Sequence, residues 1–153
     1  MVDVNSPCVG CAIARGEVRP TGGVLLRQDG LVLHGIASPS PLPGWLVVTS
    51  ERHVRGLWDL PEEAARGLGP LASRAARALR EVLHAEHVYA FVLGDVLHHF
   101  HLHLVPRFAD TPPELRGRGA FDARPSEALE PEVLEAAAAA LAEALGEALG
   151  EGE

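Results

Sequence analysis

Apolar and polar residues alternate along this chain in two rhythms, and each change of rhythm marks a new element. The clearest period-two stretch is His98-His99-Phe100-His101-Leu102-His103-Leu104-Val105-Pro106. It predicts a half-buried strand with His99, His101 and His103 on one face and Phe100, Leu102 and Leu104 turned into a core, His98 falling on the core side. Val24 to Arg27 and Leu31 to Leu33 are β-favouring runs joined by Gln28-Asp29-Gly30, whose Asp-Gly step predicts a hairpin. Trp45 to Thr49 reads as a buried strand through Leu46-Val47-Val48. Val88 to Leu93 reads as another, turned at Gly94-Asp95 into the histidine strand and so antiparallel to it. The prolines between residues 37 and 44 make a stiff loop.

The helical rhythm appears after Pro61-Glu62-Glu63, a good helix opening for which Asp59 is the expected cap. Leu68, Leu71, Ala72, Ala75, Leu79, Val82 and Leu83 form its apolar stripe; Arg66, Arg74, Arg77 and Arg80 fall mostly on the wet side. His84 and His87 sit where the C-terminal dipole favours them. Residues 109–130, rich in Pro, Gly and charge, are expected to be a loop over one face, in which Arg116 and Arg118 are candidate phosphate contacts. From Pro131 to Leu149 an alanine-rich run predicts a helix by propensity. Its thin stripe of Val133, Leu134, Leu141, Leu145 and Leu149 predicts weak docking on the body or on a partner chain. The expected organisation is one domain over residues 1–130 with a helical tail over 131–153.

Composition narrows the function classes. A chain of 153 residues carries one core. The net charge of −8 disfavours a nucleic acid polymer as partner, yet leaves room for a small phosphorylated ligand in a local pocket. All 13 basic residues are arginine, which removes lysine Schiff-base chemistry and any P-loop. No secretory signal pattern or bilayer-length apolar run occurs, so a cytoplasmic protein without a membrane partner is expected. Cys8 and Cys11 are too few and too close to be a disulfide framework, which fits a reducing compartment.

Candidate chemistry gathers on cysteine and histidine. In Ser6-Pro7-Cys8-Val9-Gly10-Cys11, Pro7 and Gly10 bracket a knuckle able to bring both thiolates to one point. Cys8, Cys11, His53 and His99 together have the character of a closed, structural zinc shell. Spacing alone leaves His34 or His98 open as the fourth ligand, and a reduced cysteine pair without metal open as well. Three ligands on one ion from His99, His101 and His103 are disfavoured, because alternate residues of a strand lie about 6.5 to 7 Å apart. With His99 used for metal, His101 and His103 remain on one face. A neutral imidazole held by an acceptor at its other nitrogen is a nucleophile toward phosphorus, and a protonated neighbour would neutralise phosphoryl charge.

His99-Phe100-His101-Leu102-His103-Leu104-Val105 resembles the His-φ-His-φ-His-φ-φ signature of the histidine triad (HIT) superfamily, with φ apolar. Gly44-Trp45-Leu46-Val47-Val48 followed by His53 resembles the family's Gly-His-x-Leu-Val segment. Cys8-Val9-Gly10-Cys11-Ala12-Ile13 resembles the opening of its zinc-containing branch. The resemblance implies an α+β fold, with an antiparallel sheet of about five strands, packed helices and a homodimeric assembly. It implies nucleotide hydrolase or nucleotidyl transferase activity through a covalent nucleotidyl-histidine, with His101 as nucleophile and His103 against the phosphate. It also implies structural zinc on Cys8, Cys11, His53 and His99. The alternative it allows is a non-catalytic nucleotide- or metal-binding protein. The chain departs from the pattern in four places: Ala37 to Ser40 offers no ribose-binding acid, Trp45 replaces a histidine, Asp95-Val96-Leu97 replaces small polar residues before the triad, and Val88-Tyr89-Ala90-Phe91 replaces an Asn-rich approach.

Overall fold

A computed structural model describes residues 8–37 and 39–150, with side chains described as far as Gly146. Ser6 and Pro7 of the expected knuckle, Ser38, and the side chain of Leu149 lie outside the described residues. A short helix, α1 (Val9–Ala14), leads into the hairpin of β1 (Val24–Gln28) and β2 (Leu31–Gly35). Asp29 and Gly30 both have positive φ, 54° and 77°, the conformation a two-residue turn needs to match strand twist. Then come β3 (Leu46–Ser50), α2 (Glu62–Leu83), β4 (His87–Phe91), β5 (His101–Arg107) and α3 (Pro131–Gly150). The five strands form one antiparallel sheet in the order β1-β2-β3-β5-β4, as the α+β expectation required.

The sheet has two unlike faces. Leu31, Leu33, Leu46, Val48 and Leu104 pack beneath α2 and α3 in the main core, and Leu31, Leu33, Val48, Leu71, Leu79 and Leu141 are fully buried. Each such side chain contributes about 2 to 3 kcal/mol of burial energy. The opposite face, fixed by cross-strand neighbours, carries His34, Val47 and His103 in one row and Val32, Thr49 and His101 in the next. A strand's alternation thus delivers leucines to one side and histidines to the other. Among the described residues no helix is long and apolar enough to cross a membrane.

Several local expectations give way to the structure. The histidine strand begins at His101: His99 and Phe100 precede it, tied to the segment after β3 by Phe100 N–H donating to Val54 O at 2.7 Å and Ser50 N–H to Phe100 O at 3.3 Å. The connection from β4 is accordingly a loop over residues 92–100, not a tight turn at Gly94-Asp95. Asp59 lies in a single 3-10 turn and does not cap α2, whose N-cap is Pro61 without a side-chain bond. His84 closes α2 in the left-handed conformation, φ 62°, but His87 is the first residue of β4. Residues 109–130 contain three 3-10 turns, at Pro113–Leu115, Gly117–Asp122 and Pro125–Glu127. Finally, α3 docks more firmly than its stripe of large residues foretold, since Ala137 and Ala138 are buried beside Leu134, Leu141 and Leu145, and small side chains let the helix approach closely. Pro106 is tolerated inside β5 because the pairing with β3 stops at Leu46 and Leu104, so no partner carbonyl on that side misses its N–H.

Candidate functional site

Two groups of histidines flank the start of β5. In the first, Cys8 caps α1, accepting from Cys11 N–H at 3.5 Å, and this turn of backbone aims both thiols at one point. The loop after β3 supplies His53, and the segment before β5 supplies His99. Cys8 Sγ lies 3.3 Å and Cys11 Sγ 3.5 Å from His99 Nδ1, while Cys11 Sγ lies 3.3 Å from His53 Nδ1. All four donor atoms fall within 4.8 Å of one another. Ligands about 2.0 to 2.3 Å from one tetrahedral ion stand roughly 3.5 Å apart, so these spacings suit a Cys2His2 zinc shell. His34 and His98 stand outside the group.

His99 is built for this role. Its side chain is fully buried, and its Nε2–H donates to Ser50 O at 2.6 Å, since a carbonyl can only accept. That bond leaves Nδ1 as the lone pair facing the thiols, and a carbonyl behind a ligating imidazole is the usual way such a ring is oriented. Burial holds the ring below the ordinary histidine range, hence neutral and able to ligate. Gly10 makes the approach feasible: a Cβ there would stand 2.6 Å from His99 Cγ. Burial, then the neighbouring Cys8, push the Cys11 thiol up. A bound dication would reverse this by favouring the thiolate.

The second group is His101 and His103, half-buried on β5 with ring centroids 4.9 Å apart. His101 Nδ1–H donates to His99 O at 2.7 Å, which leaves Nε2 unprotonated in the neutral ring. Trp45, the residue just before β3, donates its indole N–H to His103 Nδ1 at 3.1 Å. The neutral His103 ring therefore carries its proton on Nε2. Burial, then His101 and His34, push the His103 pKa down to about 4. The protonated partner expected beside the nucleophile is thus a neutral N–H donor, because a desolvated ring beside two other imidazoles cannot hold a charge cheaply.

Both rings line a cavity of about 580 Å³ on the histidine face of the sheet. Its walls are largely apolar, including Ile13, Ile36, Trp45, Val47, Leu97 and Phe121, and its charged lining residues are Asp95 and Arg118, both exposed. Ala37 and Pro39 form the wall where the family resemblance would put an acid. Arg118 reaches the cavity lining and Arg116 does not; Arg116 instead donates to Thr111 O at 3.0 Å.

His34, left open by spacing as a zinc ligand, belongs to this cavity instead, a place that sequence reasoning missed. It is buried beneath the cavity, donates from Nδ1 to Gly35 O at 2.6 Å and accepts at Nε2 from the Thr49 hydroxyl at 2.8 Å. Burial holds it below the ordinary histidine range. Only the cross-strand register, His34 beside Val47 beside His103, reveals that it shares the face of His103.

Comparisons with known proteins agree with this geometry. A histidine triad family protein from Mycobacterium smegmatis, described as zinc-bound, is 26% identical, with a TM-score of 0.63 over 90% of this chain and 96% of that one. A Hit-like protein from Bartonella henselae gives a TM-score of 0.70 at 18% identity, over 93% of this chain and 97% of that one. A hypothetical histidine triad nucleotide-binding protein from Sulfolobus tokodaii gives 0.70 at 16% identity, over 92% of this chain and 93% of that one. The last two, at such low identity, show the fold alone. No protein with a curated description matches the chain in sequence. The profile of the HIT domain matches residues 23–110, more than half of the chain and inclusive of all five strands, and the chain therefore belongs to the HIT-domain family.

Proposed function

We propose that this protein is a hydrolase or nucleotidyl transferase of small phosphorylated, nucleotide-like compounds, working through a covalent adduct on His101. The observation that carries the reading is the His101 Nδ1–H bond to the His99 carbonyl, 2.7 Å, on a ring that lines the cavity. It presents an imidazole lone pair at Nε2 without waiting for a base to remove a proton. In the first step Nε2 forms an N–P bond and the P–N or P–O bond to the leaving group breaks, its electron pair departing with the leaving group, which takes a proton from solvent. In the second, water attacks phosphorus, the N–P bond breaks back onto Nε2, and the proton of the water goes to solvent. Another acceptor in place of water makes the reaction a transfer.

His103 would donate its Nε2–H to a non-bridging phosphoryl oxygen, where charge builds in the transition state. Cys8, Cys11, His53 and His99 would hold a zinc ion whose shell is complete, so that it braces α1 against the sheet and leaves no position for substrate. The zinc-bound relative supports that choice of metal. The apolar walls and Ala37 point to a substrate whose organic part is gripped more by packing than by ribose hydroxyls. Two copies would join their sheets through a free edge, β1 or β4.

Mass spectrometry of protein quenched during turnover of nucleoside phosphoramidates and dinucleoside polyphosphates tests the reading. A nucleotidyl adduct on His101 is the expected result. Absence of any adduct, with equal rates for wild type and His101→Ala, would leave a binding protein without catalysis.

A further inference from the structure

The Trp45–His103 bond is a polar contact to the triad that the triad motif does not account for. Trp45 is buried, 4% exposed, in a small cluster with Leu42, Val47, Val105 and Ala120. Its backbone is fixed too, Ile36 N–H donating to Trp45 O at 3.1 Å. Phe121 wedges against both rings of the pair, edge-on to the indole at 5.0 Å and 83° and edge-on to His103 at 4.9 Å and 86°. The indole thus has little freedom to turn its N–H elsewhere.

An indole N–H can only donate. A histidine, serine or amide in its place could donate or accept, and would let His103 choose between its two neutral tautomers. We propose that Trp45 is a positioning residue, whose donor-only indole locks His103 in the Nε2–H form so that a neutral donor stands beside the free nitrogen of His101. The proposal rests on the reading of His101 as nucleophile for its purpose, though not for its geometry. The two adjacent rings then have opposite assignments: His101 gives its Nδ1–H to a carbonyl and keeps a lone pair at Nε2, while His103 receives at Nδ1 and keeps a proton at Nε2. One ring supplies the electron pair that attacks, and its neighbour the hydrogen bond for the oxygen that becomes more negative. A flip of the His103 tautomer would put a lone pair against that oxygen and repel it.

Nitrogen-15 NMR of protein labelled at the histidine side chains tests the lock without any substrate. Wild-type His103 should show a protonated Nε2 and a bare Nδ1 throughout pH 6 to 8. Trp45→Phe, which keeps an aromatic ring but removes the donor, should show a measurable share of the Nδ1–H form, and Trp45→His, which can restore a donor, should regain part of the wild-type pattern. Thermal unfolding of each variant establishes that it is folded. With the phosphoramidate probe, kcat of Trp45→Phe should fall about 10- to 100-fold, the scale for weakening one transition-state donor, with KM changed less than about 3-fold. A wild-type His103 that carries its proton on Nδ1 or is cationic at pH 7 overturns the proposal. So does a Trp45→Phe protein with unchanged His103 signals and an unchanged kcat, the outcome of a purely packing role. Failure of the nucleophile reading looks different, since the NMR pattern would then hold with no adduct forming.

Discussion

His99 and His101 are two residues apart, and the structure turns their free ring nitrogens to different surroundings by one device. Each gives one ring N–H to a main-chain carbonyl, but His99 gives Nε2–H to Ser50 and so faces the thiols with Nδ1, whereas His101 gives Nδ1–H to His99 and faces the cavity with its other nitrogen free. The residue type is the same. The choice of nitrogen donated to the backbone separates a metal-holding corner from the corner proposed to react. Function in a histidine-rich stretch is therefore written in its acceptors, not in its histidines.

The largest effect should come from deleting the reacting corner alone. His101→Ala is expected to lower the single-turnover rate by about 10³-fold or more while retaining about one zinc per chain, as measured by rapid quench and by metal analysis. Deleting the other corner should do the converse to stability. Cys8→Ser is expected to lose the zinc and on the order of 3 kcal/mol, roughly 10 °C in Tm, as seen by calorimetry with and without chelator. A zinc-free Cys8→Ser protein with an unchanged Tm would show that the metal braces nothing.

Acidity should separate the corners next. The folded-state pKa of His103, about 4, lies below its ordinary 6.5, and that of His34 is lowered in the same direction. Between those values the unfolded chain binds more protons, so stability held above pH about 6.5 is lost as pH falls toward 4. After allowance for the partial exposure of His103, its contribution is on the order of 2 kcal/mol. Urea unfolding at a series of pH values should show the slope, and His103→Asn should flatten it. The smallest effect should be Gly10→Ala. The added Cβ, 2.6 Å from His99 Cγ, forces that ring aside and should weaken zinc about tenfold, read by competition with a chelator.

Much of this was legible from residues alone because it depends on local rules. The Asp29-Gly30 turn, the leucine face of the sheet and the Cys8–Cys11 knuckle follow from turn chemistry and alternation. What escaped depends on long-range placement. Strict alternation put His99 in the strand, yet its ties to Ser50 and the cysteines pull it out of the ladder before His101. His34 sits in a run of apolar residues, where it could be read only as a spare metal ligand until β2 is laid beside β3. The charge state of His103 was misjudged because the burial and the neighbouring His101 and His34 rings that lower its pKa come together only in the assembled sheet. The firm docking of α3 was underread because alanines were counted as propensity and not as packing surface.

His99 has a second consequence through its own peptide group. Its imidazole meets the cysteines while its carbonyl accepts the His101 Nδ1–H hydrogen bond, so a single amino acid belongs to both corners at once. Any event that twists that residue, such as oxidation of the thiols or withdrawal of the ion, would reach the His101 ring along a path two residues long. If His101 reacts as proposed, the integrity of the N-terminal clasp and the readiness of that ring are mechanically geared together.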